Sequence, residues 1–213
     1  MSRARIVMAD DHRMVAEGLR SLLEPAYELS DIVEDGRGLV EAALRLQPDV
    51  IVADISMPQL NGLDAIAQIR KGGCQAKIIF LTMHCDDLYA VRAIRAGASA
   101  YVLKQSASTE LLTAIREALA GRTYLAPALA DAVSRTLAAE PTRAPDERLL
   151  TPRQREVLQL FSEGHSAKKV AGMLHISVRT AENHKAQIMR LLGATSTADL
   201  VKCAIRHGLI GPS

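Results

Sequence analysis

Val50-Ile51-Val52-Ala53 is a four-residue apolar run held between Pro48 and Pro58, and it delivers one carboxylate, Asp54, to its own C-terminal end. A run so short and so uniformly apolar reads as a strand of a parallel sheet, buried on both faces. Such a strand needs helices above and below it, so the chain around it has to alternate strand and helix. In open sheets of this kind the chemistry lies beyond the carboxyl ends of the strands, where Asp54 falls.

The alternation is present. Ile6-Val7-Met8-Ala9 is a second apolar run, ending in Asp10-Asp11, and a helical stripe of Met14, Val15, Gly18, Leu19, Leu22 and Leu23 follows it. Tyr27 to Val33 predicts a strand, Gly36 to Leu46 a helix, Asp49 to Ala53 the central strand, and Leu63 to Arg70 a helix behind the Asn61-Gly62 turn. Ala76 to Leu81 repeats the buried pattern and ends in Thr82, after which Asp86-Asp87 can cap a helix that Gly97 stops. Ser99 to Leu103 ends in Lys104, and Thr109 to Ala120 closes the set before Gly121. Five strands and five helices predict an α/β fold over residues 1–121. It is a doubly wound parallel five-stranded sheet, with right-handed crossovers giving the flavodoxin-like order 2-1-3-4-5.

Residues 122–148 change character: an alanine-rich helical stretch from Ala128 to Ala139 precedes Pro141 and Pro145 among charges, the composition of a linker. Thr151-Pro152-Arg153-Gln154 then carries a capping-box pattern with proline at the first helical position. It opens a small all-α domain, residues 149–213, with further helices over 167–174, 178–192 and 197–207. The second capping pair is Ser196 with Asp199, and Gly208 is the stop. His175-Ile176-Ser177 is a tight link between a short and a longer polar helix, the layout of a helix-turn-helix.

Charge follows the same division. Residues 1–150 hold 17 Lys and Arg against 20 Asp and Glu, a balance of −3, and residues 151–213 hold 9 against 4, a balance of +5. A basic module behind an acidic one suits a polyanionic partner for the C-terminal part. Cys74, Cys85 and Cys203 have no metal-ligand spacing, and an odd count fits a reduced chain. No apolar run approaches the ~20 residues of a membrane span, and Met1 to Arg5 lack a signal-type apolar region, so a soluble cytoplasmic protein without membrane contact is expected.

Asp10, Asp11, Asp54, Thr82 and Lys104 each lie at or just past a strand's C-terminal end, so the proposed winding brings acid, hydroxyl and amine to one edge. Singly, such residues are a helix cap, a strand end and a surface charge. Together they suggest a site. Crowded carboxylates repel unless a cation is present, and oxygen-only ligands suit Mg²⁺. A carboxylate can take a phosphoryl group, and an ammonium and a hydroxyl can offset charge on the transferring oxygens.

These residues, with Met57-Pro58, Asn61-Gly62, Leu81-Thr82-Met83-His84 and Ala96-Gly97-Ala98 leading to Tyr101-Val102-Leu103-Lys104, resemble the receiver domain of bacterial two-component response regulators over residues 4–121. The resemblance implies that Asp54 is the phosphoacceptor and that Asp10, Asp11, Asp54 and the backbone carbonyl of Ser56 hold Mg²⁺. It also implies that Thr82, Lys104 and Tyr101 bind the phosphate and form the switch. Ser56 and His84, two residues past Asp54 and Thr82, can flank the attacking water and are expected to tune dephosphorylation. Ala53 and Ala100 depart mildly from the family pattern, away from this chemistry.

On the helix over 178–192, Val178, Ala181, Ile188, Leu191 and Leu192 can face a small core while Arg179, Glu182, Asn183, Ala186 and Arg190 fall opposite, on the face to enter a major groove. Asn, Glu and Ala can meet base edges, Lys168, Lys169, Arg179, His184, Lys185 and Arg190 are candidates for phosphates, and Thr180 is a further expected DNA contact. Leu150 to Leu158, Gly164, Val170-Ala171, Ile176-Ser177, Thr180 and His184 resemble the LuxR-type helix-turn-helix, and its attachment to a receiver resembles the NarL/FixJ subfamily. The resemblance implies a DNA-binding homodimer with its contact on the last helix, here Leu200, Val201, Cys203 and Ala204. Glu182 and Lys169 depart from residues common in the family.

The reading is a non-enzymatic, DNA-binding transcriptional response regulator, phosphorylated on Asp54 by a histidine kinase and dimerising on an operator. A regulator controlled by protein contacts alone is one alternative. An aspartyl-phosphate phosphohydrolase is another, although Ser56 stands where haloacid-dehalogenase-like enzymes carry a second Asp.

Overall fold

The computed structural model describes residues 3–83, 87–138 and 150–211, which form an α/β unit and an all-helical unit. In the first, strands β1 (Arg5–Ala9), β2 (Glu28–Val33), β3 (Val50–Ala53), β4 (Lys77–Thr82) and β5 (Ala100–Leu103) alternate with helices α1 (Arg13–Leu23), α2 (Gly36–Leu46), α3 (Gly62–Lys71), α4 (Asp87–Arg95) and α5 (Ala107–Leu119). A 3₁₀ turn over Lys104–Ser106 links β5 to α5. All pairings are parallel, and the expected order 2-1-3-4-5 is observed.

The sheet continues one strand further than the sequence suggests. A two-residue strand β6 (Tyr124–Leu125) pairs with β5, and α6 (Pro127–Ala138) follows at once, packing against α4. The segment expected to be a linker is therefore not uniform. Ala126, Leu129 and Val133 are buried at helical spacing, which binds the first part of 122–148 to the sheet unit. The stretch 140–147 expected as linker, the cap expected at Asp86 and His84, expected to tune dephosphorylation, lie outside the described residues.

Period-two alternation explains the two-layer core. Ile6, Met8, Val50, Val52, Ile79, Leu81, Ala100 and Val102 share one face with Leu19 and Leu23 of α1 and Leu111 and Ile115 of α5. The intervening Val7, Ile51, Ile78, Phe80 and Tyr101, equally buried, fall on the other face. Met14, expected on the core stripe of α1, is instead 91% exposed. Ala16, Leu19 and Leu23 already complete the buried stripe, with Val15 and Leu22 packed at its edge.

The second unit is α7 (Pro152–Ser162), α8 (Ala167–Leu174), α9 (Val178–Leu192) and α10 (Thr197–Arg206). The capping box at Thr151 and Gln154 and that at Ser196 and Asp199 both form as expected. Between α8 and α9, His175 takes a left-handed conformation (φ 52°), the Ile176 amide returns to Ala171 O at 3.0 Å, and Ser177 caps α9. One core, including Val157, Phe161, Val170, Leu174, Ile188 and Leu200, serves all four helices.

Candidate functional site

The site at the sheet edge follows from register. Ala9 lies opposite Ala53, and the Asp54 amide donates to Ala9 O at 2.9 Å, so the residues after these strands, Asp10 and Asp54, stand side by side. Thr82 lies opposite Leu103, which places Lys104 one step beyond. The turn behind Asp54 is fixed by Gly62, whose amide donates to Ile55 O at 2.8 Å. A Cβ on Gly62 would lie 2.3 Å from the Asp54 carbonyl oxygen, a distance no side chain tolerates. Asn61 then caps α3, accepting from the Asp64 amide at 3.0 Å and donating to the Asp64 carboxylate at 2.8 Å, both residues buried.

Asp10 and Asp54 are 2% and 4% exposed. The Lys104 ammonium lies between them, donating to Asp54 Oδ2 at 2.7 Å and standing 2.8 Å from Asp10 Oδ2. Burial works to lower the Lys104 pKa, but the Asp54 charge and the contacts to both carboxylates outweigh it, and the pKa stands above the ordinary lysine value. One ammonium thus balances a cluster that also includes Asp11. Among the described residues, three carboxylates face that one ammonium, with Asp10 Oδ2 met by Lys104 Nζ at 2.8 Å and Asp11 Oδ1 by His12 Nδ1 at 2.8 Å. Carboxylates in that excess fit a bound divalent cation.

Asp10, Asp11, His12 and Asp54 each offer a donor atom, all within 4.8 Å of one another. His12 is absent from the sequence-based site, because it follows the Asp10-Asp11 pair and lies past the strand end that marks the other members. Ser56 donates its amide to Asp54 Oδ1 at 3.3 Å and is half-buried. Thr82 is wholly buried, as is the Tyr101 ring, which lies opposite Phe80.

On α9, Arg179, Glu182, Asn183, Ala186 and Arg190 are exposed on one face, and Lys168 and Lys169 are exposed on α8. Three expected contacts have other engagements. Thr180 shares a 2.8 Å hydrogen bond with Ser177 at the cap, His184 is half-buried, and the Lys185 ammonium sits 4.8 Å from the centre of the Phe161 ring. Val178 and Leu191, expected in the core, are 43% and 47% exposed, because Ala181 and Ile188 suffice to seat the helix.

The dimer contact needs a larger correction. Leu200, Cys203 and Ala204 are buried in the unit's own core, and only Val201 of the four expected residues keeps partial exposure. A unit of about 60 residues has few apolar side chains to fill its interior, so an apolar surplus on its last helix goes inward first.

Residues 6–116 match the response regulator receiver domain, and residues 148–204 match the LuxR family of bacterial regulatory proteins. The transcriptional regulatory protein MctR of Rhizobium johnstonii is 33% identical over 98% of this chain and 96% of its own length. The oxygen regulatory protein NreC of Staphylococcus carnosus is 34% identical over 97% of this chain and 99% of its own. Among solved structures, the response regulator RcsB of Salmonella typhimurium aligns with a TM-score of 0.62 at 28% identity, covering 95% of this chain and 97% of RcsB. RcsB has also been solved in complex with DNA.

Proposed function

Because the chain belongs to the bacterial response regulators, with a receiver domain joined to a LuxR-type DNA-binding domain, we propose that it is a transcription regulator switched by phosphorylation of Asp54. The observation that carries this reading is the pair of buried carboxylates, Asp10 and Asp54, bridged by Lys104 at 2.8 and 2.7 Å. Their charge is incompletely balanced, which suits a pocket that takes up a cation and then a phosphoryl group. The carboxylates of Asp10, Asp11 and Asp54, with the Ser56 carbonyl, would hold Mg²⁺, which when bound offsets negative charge on the phosphoryl oxygens.

Lys104 engages Asp54 Oδ2, and Asp54 Oδ1, which accepts the long 3.3 Å contact from Ser56 N, is the oxygen proposed to attack. It attacks the phosphorus of a kinase phosphohistidine: an O–P bond forms, the P–N bond breaks, the imidazole leaves and takes up a proton, and Asp54 carries an acyl phosphate. Lys104 stands ready to pair with the incoming oxygens, and the Thr82 hydroxyl, at the adjoining strand end, to donate to one of them. The phosphoryl group adds roughly −1.5 to −2 charge, enough to bias a two-state element. Tyr101 is the element proposed to respond, and Ser56 and His84 to set the lifetime.

A hydrogen bond ties the strand of Tyr101 to the segment that follows the sheet. The Ala126 amide donates to Tyr101 O at 2.9 Å, so β6 hangs directly on the switch strand, and α6 continues from it against α4. Beyond α6 the chain reaches the DNA-binding unit, in which Glu182, Asn183 and Ala186 are proposed to read base edges. Lys168, Lys169, Arg179 and Arg190 would hold phosphates, with Lys185 and His184 at the flank. As with RcsB, DNA is the partner. Two copies reading inverted half-sites would meet through the Val201 side of α10.

The test is incubation with acetyl phosphate and Mg²⁺, followed by intact mass, oligomeric state and DNA footprinting. Wild type is expected to gain one phosphoryl group and bind DNA more tightly, and Asp54→Ala to do neither. Operator affinity independent of labelling would favour control by protein contacts instead.

A further inference from the structure

We propose that His12 is a nitrogen ligand of the acid pocket and makes it select first-row transition ions such as Co²⁺ and Zn²⁺ in addition to Mg²⁺. The inference rests on the metal pocket proposed above and adds to it a donor of a different chemical class. His12 Nδ1 lies 2.8 Å from Asp11 Oδ1 and 3.3 Å from Asp10 Oδ1. Two ligands at adjacent corners of one ion, each at about 2.1 Å, are about 3 Å apart. Those are the separations found here. Asp10, Asp11, His12 and Asp54 each turn a donor atom to one point, all within 4.8 Å of one another, and the Lys104 ammonium at 2.8 Å from Asp10 Oδ2 offsets one of the three carboxylate charges gathered there.

The imidazole is placed by its backbone. The His12 amide donates to Asp10 Oδ1 at 2.9 Å, which folds the chain after β1 so that the ring returns over the two acids. His12 makes no side-chain cap for α1, and its side chain is 61% exposed, so the ring lies at the mouth of the pocket with water on its outer side. Carboxylate and water oxygens suit Mg²⁺, whereas a neutral imidazole adds little for that hard ion and much for Co²⁺, Ni²⁺ or Zn²⁺. Replacing His12 should therefore separate the two classes of metal.

The test compares wild type with His12→Ala and His12→Asn, both of which keep the backbone amide that holds Asp10. Chelator competition gives affinities for Co²⁺, Zn²⁺ and Mg²⁺, and the visible Co²⁺ bands and the paramagnetic shift of the His12 ring protons report direct ligation. The expected result is a Co²⁺ and Zn²⁺ affinity lower by roughly ten- to a hundredfold in both variants, with Mg²⁺ affinity changed by less than about twofold. The Co²⁺ bands should change with the substitution. Equal weakening for all three ions would mean that His12 only orients Asp11, and would overturn the proposal. So would unchanged affinities, or Co²⁺ binding that leaves the His12 ring unshifted. No phosphoryl donor or DNA is used, so loss of Mg²⁺ binding in wild type would remove the Mg²⁺ reading while a His12-dependent Co²⁺ site left this one standing.

Discussion

The two units differ in how many of their helix starts carry a side-chain cap. In the C-terminal unit Thr151, Ser166, Ser177 and Ser196 each cap the helix that follows, accepting the backbone amide three residues on. In the N-terminal unit α2 and α3 are capped by Asp35 and Asn61, but α1 and α5 have no side-chain cap. These are the helices that start just after Asp10-Asp11 and just after Lys104. Where the chain passes the acid pocket, local satisfaction is given up to side chains that converge on one site. The helix proposed to read DNA, α9, sits among helices that are each capped at their start. One unit holds an electrostatic problem that a ligand can resolve, and the other holds a fixed surface.

Removing the pocket's cation should expose that problem most directly. Lys104→Met leaves Asp10 and Asp54 facing each other without a counter-charge, and a cost of about 3 kcal/mol to the N-terminal unit is expected in chelator. Mg²⁺ should return part of it. Unfolding curves with and without the ion check this, and a variant as stable as wild type in chelator would break the comparison.

Glycine positions sharpen it further, because the same substitution should have opposite signs in the two units. Gly62→Ala forces a Cβ onto the Asp54 carbonyl and should destabilise the N-terminal unit by roughly 1–3 kcal/mol while slowing labelling of Asp54. Gly172 in α8 has nothing within 4 Å of an added Cβ, so Gly172→Ala should stabilise the C-terminal unit by about 1 kcal/mol. Separate unfolding transitions report each.

On the reading face, base and phosphate contacts should also part company. Glu182→Ala is expected to relax preference at one base pair, by about 1–3 kcal/mol, with little change in salt dependence. Lys169→Ala should weaken binding to all sequences and reduce the salt slope by about one. Salt titrations on operator and random duplexes measure both effects.

How much of this was legible depended on whether the signal was local. The acid pocket could be read because each member ends an apolar run, and a parallel sheet aligns such ends without further information. His12 escaped that logic, since it follows the pair of acids and no strand end marks it. β6 escaped because two residues, Tyr124 and Leu125, show no alternation. Their strand character comes from hydrogen bonds to Ser99 O and Tyr101 O, more than twenty residues earlier in the chain. On α10 the number of apolar positions in the sequence does not say whether a partner or the unit's own interior covers them. Burial of Leu200, Cys203 and Ala204 answers that for three of the four.

The smallest expected effect places the two units at opposite ends of the pH scale. Asp199 Oδ2 accepts from Ser196 Oγ at 2.9 Å, Ser196 N at 3.0 Å, Thr195 Oγ1 at 3.0 Å and Thr195 N at 3.1 Å. These bonds, the Ser196 hydroxyl foremost, lower its pKa from the ordinary 3.8 to about 2. A folded pKa below the unfolded one makes the contribution complete above the ordinary value and lost as pH falls toward the folded one. The start of α10 should therefore fray between about pH 4 and pH 2, with Asp199→Asn flattening that limb. Lys104 has the opposite sign: its raised pKa makes its contribution complete below the ordinary lysine value and lost only as pH rises through the folded one. Carboxyl and amide NMR titrations on the full chain test both. An acid limb of α10 that is unchanged in Asp199→Asn would show that the capping box holds that helix without its charge.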